Sequence, residues 1–408
     1  SSKIKPDSAA WKYWIEQMQK LSIFIVVGEH SGDALGARLM DGLSAAYPGD
    51  ISYAGVGGGR MEERGFRSIF PISDVAVMGP LAILSKLPKI VRRVYQTVDA
   101  ALAANPDIVI IIDSPEFTHP IAKRIRRKRP DIPIVDYVSP SVWAWRPGRA
   151  KKMKPYVDHL LALLPFEPEA HETLGGPPCT YVGHPLIERL DWLQGLNPED
   201  LRARLRIAED RIPVVVLPGS RGSEIARLMD VFGDALKKTV GLGRPIEVLL
   251  PAVDHLRDEI EARSSKWDVP THILSGEEDK FTAFKLAQAA LAASGTVTLE
   301  LGLVGTPMVV AYKVDAVAAR LRFLVNVRSV VLSNLVLGEN AFPEYLQEDC
   351  QPDQLADAMS GILVDGAARD KQLAALASVA DRMKVPHGNP SDLAAQVVLS
   401  MLENQSEA

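Results

Sequence analysis

The sequence predicts an α/β protein made of two doubly wound domains. Three observations carry that expectation. Short β-branched runs alternate with longer helical stretches. The runs are apolar throughout, as strands buried on both faces of a parallel sheet must be. They also fall into two groups of five or six along 408 residues, too many for one sheet and a poor fit to a single eight-stranded barrel.

In the first half the strand candidates are "SIFIVVG" (22–28), "ISYAGV" (51–56), "DIVIIID" (107–113), "IPIVDYV" (132–138), "HLLALLP" (159–165) and "CTYVGHP" (179–185). In the second half they are "IPVVVLPG" (212–219), "IEVLLPA" (246–252), "THILSG" (271–276), "AALAAS" (289–294) and "PMVVAY" (307–312). A linker is expected near 186–212, where "LNPED" opens a short helix. The last 40 residues read as helices broken at "KVPHGNPSD" (384–392), with an Asp placed to cap a final helix. The domains are therefore set at 21–186 and 187–384. The helix at 390–404 is expected to pack back on the first domain. Residues 1–20 read as an extension with a short helix at 9–20, without the apolar core of a signal peptide.

No run of 18 apolar residues exists, so no spanning helix is expected. Cys179 and Cys350 lie far apart and have no metal-ligand spacing, which suits a reducing compartment. His30, His119, His159, His171 and His184 are scattered, so no metal site is expected. Net charge is −5, but residues 81–155 hold 15 Lys/Arg against 6 Asp/Glu, leaving −14 for the rest. A basic region in an acidic chain calls for a local anionic partner rather than nucleic acid, whose binding domains are basic throughout.

Ligands of doubly wound sheets bind at the carboxyl ends of strands, so the segments after each strand are the candidates. "LPGSRGSE" (217–224) offers Gly219, Ser220 and Arg221 ahead of a helix starting near Ser223, whose positive end suits a phosphate. A plain strand-to-helix turn would use the same glycines. "AASGTVTLELG" (292–302) offers Ser294, Gly295 and Thr296, with Glu300 one turn on and able to accept both hydroxyls of a ribose. Together they fit a nucleoside diphosphate.

"GEHSGDALG" (28–36) places Glu29 and Ser31 after the first strand, although Ser31 and Asp33 would equally serve as helix caps. "GVGGGRMEERG" (55–65) imitates a dinucleotide fingerprint but has Arg60 at the third glycine position, and reads as a flexible loop. "IVIIIDSPEF" (108–117) puts Asp113 at the end of a buried strand, where a general base would stand; capping a helix near 118 is the competing use. Glu116 is a second acid beside it.

"SPSVWAWRPGRAKKMK" (139–154) sets Ser139, Trp143 and Trp145 beside Arg146 and Arg149. Aromatics next to dense positive charge fit an anionic ligand with an apolar body. At most one of the two tryptophans is expected to face a lipid surface, with the other packed inside. "MGPLAILSKLPKIVRRVYQTV" (78–98) mixes apolar residues with Lys86, Lys89, Arg92 and Arg93, as an interfacial helix would; a helix packed on its own domain is the alternative. "KRIRRKR" (123–129) reads as a solvated helix face or turn that adds to the positive field.

The blocks "GEHSGDALGARL", "GVGGGRMEERGF", "DVAVMG", "IDSPEF", "YVSPSVWAWRPGRAKKM", "LLPFEPE", "YVGHPL", "LPGSRGSEI", "AASGTVTLELGLVGTPMVVAY" and "SNLVLGENAFPEYLQEDCQP" occur in this order. The chain thereby resembles lipid-A-disaccharide synthase from about residue 21 to 403. The resemblance implies the GT-B fold, two Rossmann-like domains facing a central cleft. It implies transfer from UDP-2,3-diacylglucosamine to the 6-hydroxyl of 2,3-diacylglucosamine 1-phosphate. The products are a β-1',6 disaccharide and UDP. No cofactor is called for.

The resemblance also implies a peripheral enzyme at the cytoplasmic face of the inner membrane of a Gram-negative cell; a homo-oligomer is left open. It assigns Asp113 as the catalytic base and Arg221 with the Ser294–Thr296 turn to UDP. Glu300 falls to ribose, and Asn334 and Gln347 to the donor. Glu29, Ser31, Ser139, Trp143, Arg146 and Arg149 fall to the acceptor side. His30, Pro80 and Ala82 depart from the family's pattern. A UDP-N-acetylglucosamine epimerase, a MurG-like transferase and a non-catalytic nucleotide-sugar or lipid-binding protein are the competing readings.

Overall fold

The structure, a computed structural model, describes residues 20–76, 80–314 and 328–406. The expected helix at 9–20 and residues 77–79 therefore lie outside the described residues, apart from Lys20. The chain divides into two compact units: the residues up to Ile187 together with those from Val385 onward, and Glu188–Lys384.

The first unit holds a six-stranded parallel sheet. Its strands are β1 (Lys20–Val27), β2 (Asp50–Val56), β3 (Ile108–Ile112), β4 (Ile134–Tyr137), β5 (His159–Ala162) and β6 (Cys179–Tyr181), in the order β2-β1-β3-β4-β5-β6. Helix α1 (His30–Ala46) follows β1, α2 (Pro80–Ala104) precedes β3, and α3 (Pro115–Lys128) follows it. Because β1 and β3 are buried on both faces, the sheet needs cover on each side. One face packs Ile23, Ile25, Ile110 and Ile112 against Leu39 and Leu43 of α1. Ala394, Ala395, Val398 and Leu399, from the helix Pro390–Ser406, complete that layer. The other face packs Phe24, Val26, Val109 and Ile111 against Val94 and Val98 of α2 and Phe117 and Ile121 of α3.

The second unit holds β7 (Ile212–Leu217), β8 (Ile246–Pro251), β9 (Thr271–Leu274), β10 (Ala289–Ala293), β11 (Met308–Tyr312) and β12 (Glu344–Leu346), in the order β12-β11-β10-β7-β8-β9. Counted within the unit this is 3-2-1-4-5-6, the dinucleotide-fold order. Helix α4 (Gly222–Gly241) follows β7 and α5 (Val297–Val304) follows β10. Ile225, Leu228, Met229 and Phe232 of α4 cover Val214, Val216, Val248 and Leu291.

Several local expectations are corrected. β12 was not foreseen, since three half-buried residues make no apolar run. The segment 55–65 is not a flexible loop, because a short helix, Gly59–Glu62, begins there. Asp33, buried from solvent, accepts the amides of Gly58 (2.8 Å), Arg60 (3.0 Å) and Met61 (3.2 Å). It therefore caps a helix 25 residues away rather than its own, and it occupies the amides that a phosphate would need. α1 starts at His30 with no side-chain cap, so neither Ser31 nor Asp33 caps it. The last helix starts at Pro390, which puts Asp392 in its first turn rather than at its cap. Within α3, the basic run 123–129 is only partly a solvated face, since Arg126 pairs with Asp158.

Candidate active site

In each sheet the strand order reverses once, and the crevice at that point is where such sheets take ligands. In the first unit the reversal lies between β1 and β3, so the segments after Val27 and Ile112 meet there. A Cβ on Gly28 would sit 2.3 Å from the Cβ of Ser114. Only glycine permits that approach, which brings Ser31 beside Asp113. The Asp113 carboxylate accepts the Ser114 amide at 2.7 Å, and the Ser31 hydroxyl reaches its other oxygen at 3.5 Å. Asp113 caps nothing near 118, because α3 begins at Pro115 with Ser114 at its N-cap.

The backbone here is strained. Asp113 (φ 54°), Ser114 (φ 45°), Val138 (φ 83°) and Arg146 (φ 57°) all lie in the left-handed region. For a β-branched valine this is an outlier, and each such residue costs about 1–3 kcal/mol. Asp113, Ser114 and Val138 stand at the carboxyl ends of β3 and β4, where ligands of such sheets bind.

The tryptophan segment is a series of turns rather than an extended strand. Trp143 turns inward: its ring N–H donates to Glu167 Oε1 at 3.2 Å and it meets Phe166 edge-on at 5.2 Å. Trp145 is 45% exposed, with the Arg146 guanidinium 4.3 Å from its ring centroid. Buried Glu167 also accepts the Leu163 and Leu164 amides, and burial pushes its carboxyl up to about 7. Ser139 is buried against His171, Oγ to Nε2 at 2.6 Å, and burial holds that imidazole down at about 4. Ser139, Trp143, Glu167 and His171 thus hold the loop from within, while Arg146 and Arg149 stand at its surface side. Arg149 pairs with Glu116 at 3.0 Å.

In the second unit the reversal lies between β7 and β10, so Gly219–Arg221 and Ser294–Thr296 share one crevice. Gly219 has φ 116°, and a Cβ there would lie 2.4 Å from Glu224 Oε2. That carboxylate, buried in the first turn of α4, accepts the amides of Ser220 (2.9 Å) and Arg221 (3.3 Å). Those two amides are therefore engaged, and the open donors are the first amides of α4, which have no partner within the helix. Tyr312 donates its hydroxyl to Glu224 Oε1 at 3.1 Å. The Arg221 side chain is 69% exposed and projects from a fixed backbone.

Ser294 donates to the Val330 carbonyl at 2.7 Å, Gly295 has φ 148° with open space beside it, and Thr296 is the N-cap of α5. Glu300 is paired with Lys280 at 2.6 Å. Asn334 is buried with both ends of its amide engaged: Nδ2 donates to Ser329 Oγ and the Phe342 carbonyl, and Oδ1 accepts the Ala341 and Phe342 amides. It holds the turn at 341–342. Gln347 (φ 51°) accepts the Val314 amide at 2.8 Å.

Sequence reasoning missed Glu224, Glu167, His171 and Lys280 as parts of these sites. Glu224 had a readable signal, a glutamate three residues after the N-cap Arg221. Lys280 had none, since its partner lies 20 residues away. Among the described residues, no cluster of His, Cys, Asp or Glu is disposed to hold a metal ion.

Comparisons with known proteins bear on the family and the fold. A family model described as lipid-A-disaccharide synthetase matches residues 23–398. A lipid-A-disaccharide synthase of Bradyrhizobium diazoefficiens is 49% identical over 94% of this chain and 97% of its own. Two solved structures share the fold. The UDP-GlcNAc 2-epimerase of Neisseria meningitidis, bound to UDP-GlcNAc, has TM-score 0.60 and 12% identity over 94% of this chain and 100% of its own. MurG of Acinetobacter baumannii has TM-score 0.55 and 14% identity over 94% and 99%. Both have the GT-B fold, and at such identities the likeness is one of fold alone. The sequence match to the synthases runs through both units, and the chain belongs to the lipid-A-disaccharide synthase family of glycosyltransferases.

Proposed function

We propose that this enzyme transfers the diacylglucosaminyl group of UDP-2,3-diacylglucosamine to the 6-hydroxyl of 2,3-diacylglucosamine 1-phosphate, with Asp113 as the base. The observation that carries the reading is the carboxylate of Asp113 at the β1/β3 reversal, on strained backbone and beside Ser31. The acceptor oxygen attacks C1 of the α-linked sugar, and the C1–O bond breaks with its electron pair going to UDP. The proton of the acceptor hydroxyl passes to Asp113, and the anomeric centre inverts.

The leaving diphosphate gathers negative charge. Arg221 and the positive ends of α4 and α5 are suited to stabilise it. Glu300 exchanges Lys280 for the ribose hydroxyls in this scheme. Gln347 fixes the backbone near the donor, and Asn334 acts through the turn it holds rather than by direct contact.

The substrates carry acyl chains, so the enzyme must work at a lipid surface, in this proposal the cytoplasmic face of the inner membrane. Leu87, Val91 and Tyr95 recur every fourth residue on α2 and are 46%, 46% and 52% exposed. Exposed Lys86 and Arg92 stand among them. Such a face suits an anionic bilayer. Among the described residues no helix is long and apolar enough to cross one.

The test is incubation of the protein with both substrates, followed by mass spectrometry for UDP and the disaccharide. Release of free sugar or an epimer, without the disaccharide, would overturn the reading.

A further inference from the structure

A cavity of about 430 Å³ opens in the first unit between the start of α3 and the segment after the tryptophans. Lys123, Arg146, Arg149 and Lys152 line it, with Glu116 and the Tyr156 ring. Four cations meet one carboxylate, and that carboxylate is 79% exposed. Among the described residues Lys123, Arg146 and Lys152 form no ion pair with an acid. The Lys123 ammonium instead lies 4.8 Å from the Tyr156 ring centroid. Its pKa is drawn below the ordinary value, first by desolvation and then by Arg149, Arg127 and Lys152. Like charges crowded in a hollow are held apart only at a cost, unless an anion sits among them.

The floor of the cavity is committed to structure. His119 places Nε2 3.1 Å from the buried Asp136 carboxylate and Nδ1 3.0 Å from the Tyr156 hydroxyl. With Nε2–H donated to the carboxylate, Nδ1 accepts the tyrosine proton, so Tyr156 offers the cavity its ring. The donors left for a ligand are the forked guanidinium of Arg149, the Arg146 fork and two ammonium groups. The positive end of α3, whose first residues Pro115 and Glu116 form one wall, adds to them. This set suits the three terminal oxygens of a phosphate monoester dianion.

The cavity starts two residues beyond Asp113. The Asp113 amide donates to the Tyr137 carbonyl at 3.0 Å, next to Asp136, whose partner His119 lines the cavity, so base and cavity are close neighbours. Resting on the function proposed above, we infer that this cavity binds the 1-phosphate of the acceptor. The acceptor carries its phosphate on C1 and its reacting 6-hydroxyl on the arm from C5, the two carbons that flank the ring oxygen. Binding the phosphate here would present the hydroxyl to Asp113 and select the phosphorylated monosaccharide over its dephosphorylated counterpart.

The experiment compares wild type with the Lys123→Ala/Lys152→Ala double variant in neutral detergent micelles. Two acceptors are used: diacylglucosamine 1-phosphate and the same molecule without phosphate. For the phosphorylated acceptor, kcat/KM should fall by about 10- to 100-fold, with donor KM unchanged. For the dephosphorylated acceptor, wild type and variant should be alike. Equal losses with both acceptors overturn the inference. Losses that appear only when anionic lipid is added, and equally for both acceptors, assign the cations to bilayer headgroups and also overturn it.

Should wild type form no disaccharide, the proposed reaction fails, and the cavity is judged by calorimetric titration with glucosamine 1-phosphate. Roughly tenfold weaker binding by the variant sustains a phosphate site, whereas equal binding removes it. Both lysines are exposed, and Lys123→Gln/Lys152→Gln replaces the alanine variant if that one melts early.

Discussion

The backbone amide of Ser220 donates to Glu224 Oε2 at 2.9 Å. This bond, with those from Arg221 N and the Tyr312 hydroxyl, ties the turn after β7 to the first turn of α4. Gly219 makes the contact sterically feasible, since any side chain there would overlap the carboxylate. Glu224→Ala leaves two amides and a phenol without their partner, which should cost about 1–3 kcal/mol in chemical denaturation. It should also weaken UDP binding by roughly tenfold, because Arg221 loses its fixed base. Glu224→Gln keeps one acceptor and should fall between the two. Calorimetry with UDP checks this, and unchanged affinity in the alanine variant would separate the carboxylate from the donor site.

Asp113→Asn keeps the shape of the side chain and an acceptor for the Ser114 amide, but removes the base. Transfer should fall by at least about 10²- to 10⁴-fold. UDP affinity should hold, because the residues proposed to bind UDP belong to the second unit. Rates measured under donor and acceptor saturation, together with UDP titration, test both halves. Near-normal turnover would end the assignment of Asp113 as base.

Leu87, Val91 and Tyr95 are exposed along one face of α2, whereas Val94 and Val98 of the same helix are buried. Lys89 and Arg93 are both paired with Asp74. Leu87→Ser/Val91→Ser/Tyr95→Ser should therefore leave the melting temperature nearly unchanged. It should reduce sedimentation with anionic vesicles by tenfold or more, at roughly 25 cal/mol for each Å² of apolar surface withdrawn from lipid. Loss of stability with membrane binding intact would mean that the face packs against protein.

What could be read from the sequence depended on how local each signal was. Strands such as Ile108–Ile112 were legible because burial on both faces demands an unbroken apolar run. β12 was not, because Glu344–Leu346 is short and half-buried. Asp113 could be placed at a strand end from its neighbours alone, whereas the strain at Val138 arises from the meeting of β4 with its loop. The role of Asp33 depends on amides 25 residues away, and the inward turn of Trp143 on Glu167, 24 residues away. Lys123 looked like part of a solvated run until α3 carried it to the rim of a cavity. Long-range partners decided these cases, and no local pattern encodes them.

The Glu167 carboxyl carries the last prediction. It is buried, and its pKa is raised from 4.5 to about 7 by desolvation, against the opposing pull of the Leu164 and Leu163 amides and Trp143. The folded protein therefore holds this proton more tightly than the unfolded chain does. The stability contributed by the protonated group is complete below pH 4.5 and is lost as pH rises through 7. The difference amounts to about 3 kcal/mol. Glu167→Gln cannot titrate, so it lacks this term while retaining every other pH-dependent group, including His171 and His184, both held at about 4 by burial. Subtracting the stability of the variant from that of wild type, by urea denaturation at intervals from pH 5 to 8, isolates the one carboxyl. The difference should decline from pH 5 to about 7 and level off above it. A flat difference would show that Glu167 ionises as an ordinary carboxylate, and that its bonds to the two amides and Trp143 outweigh its burial.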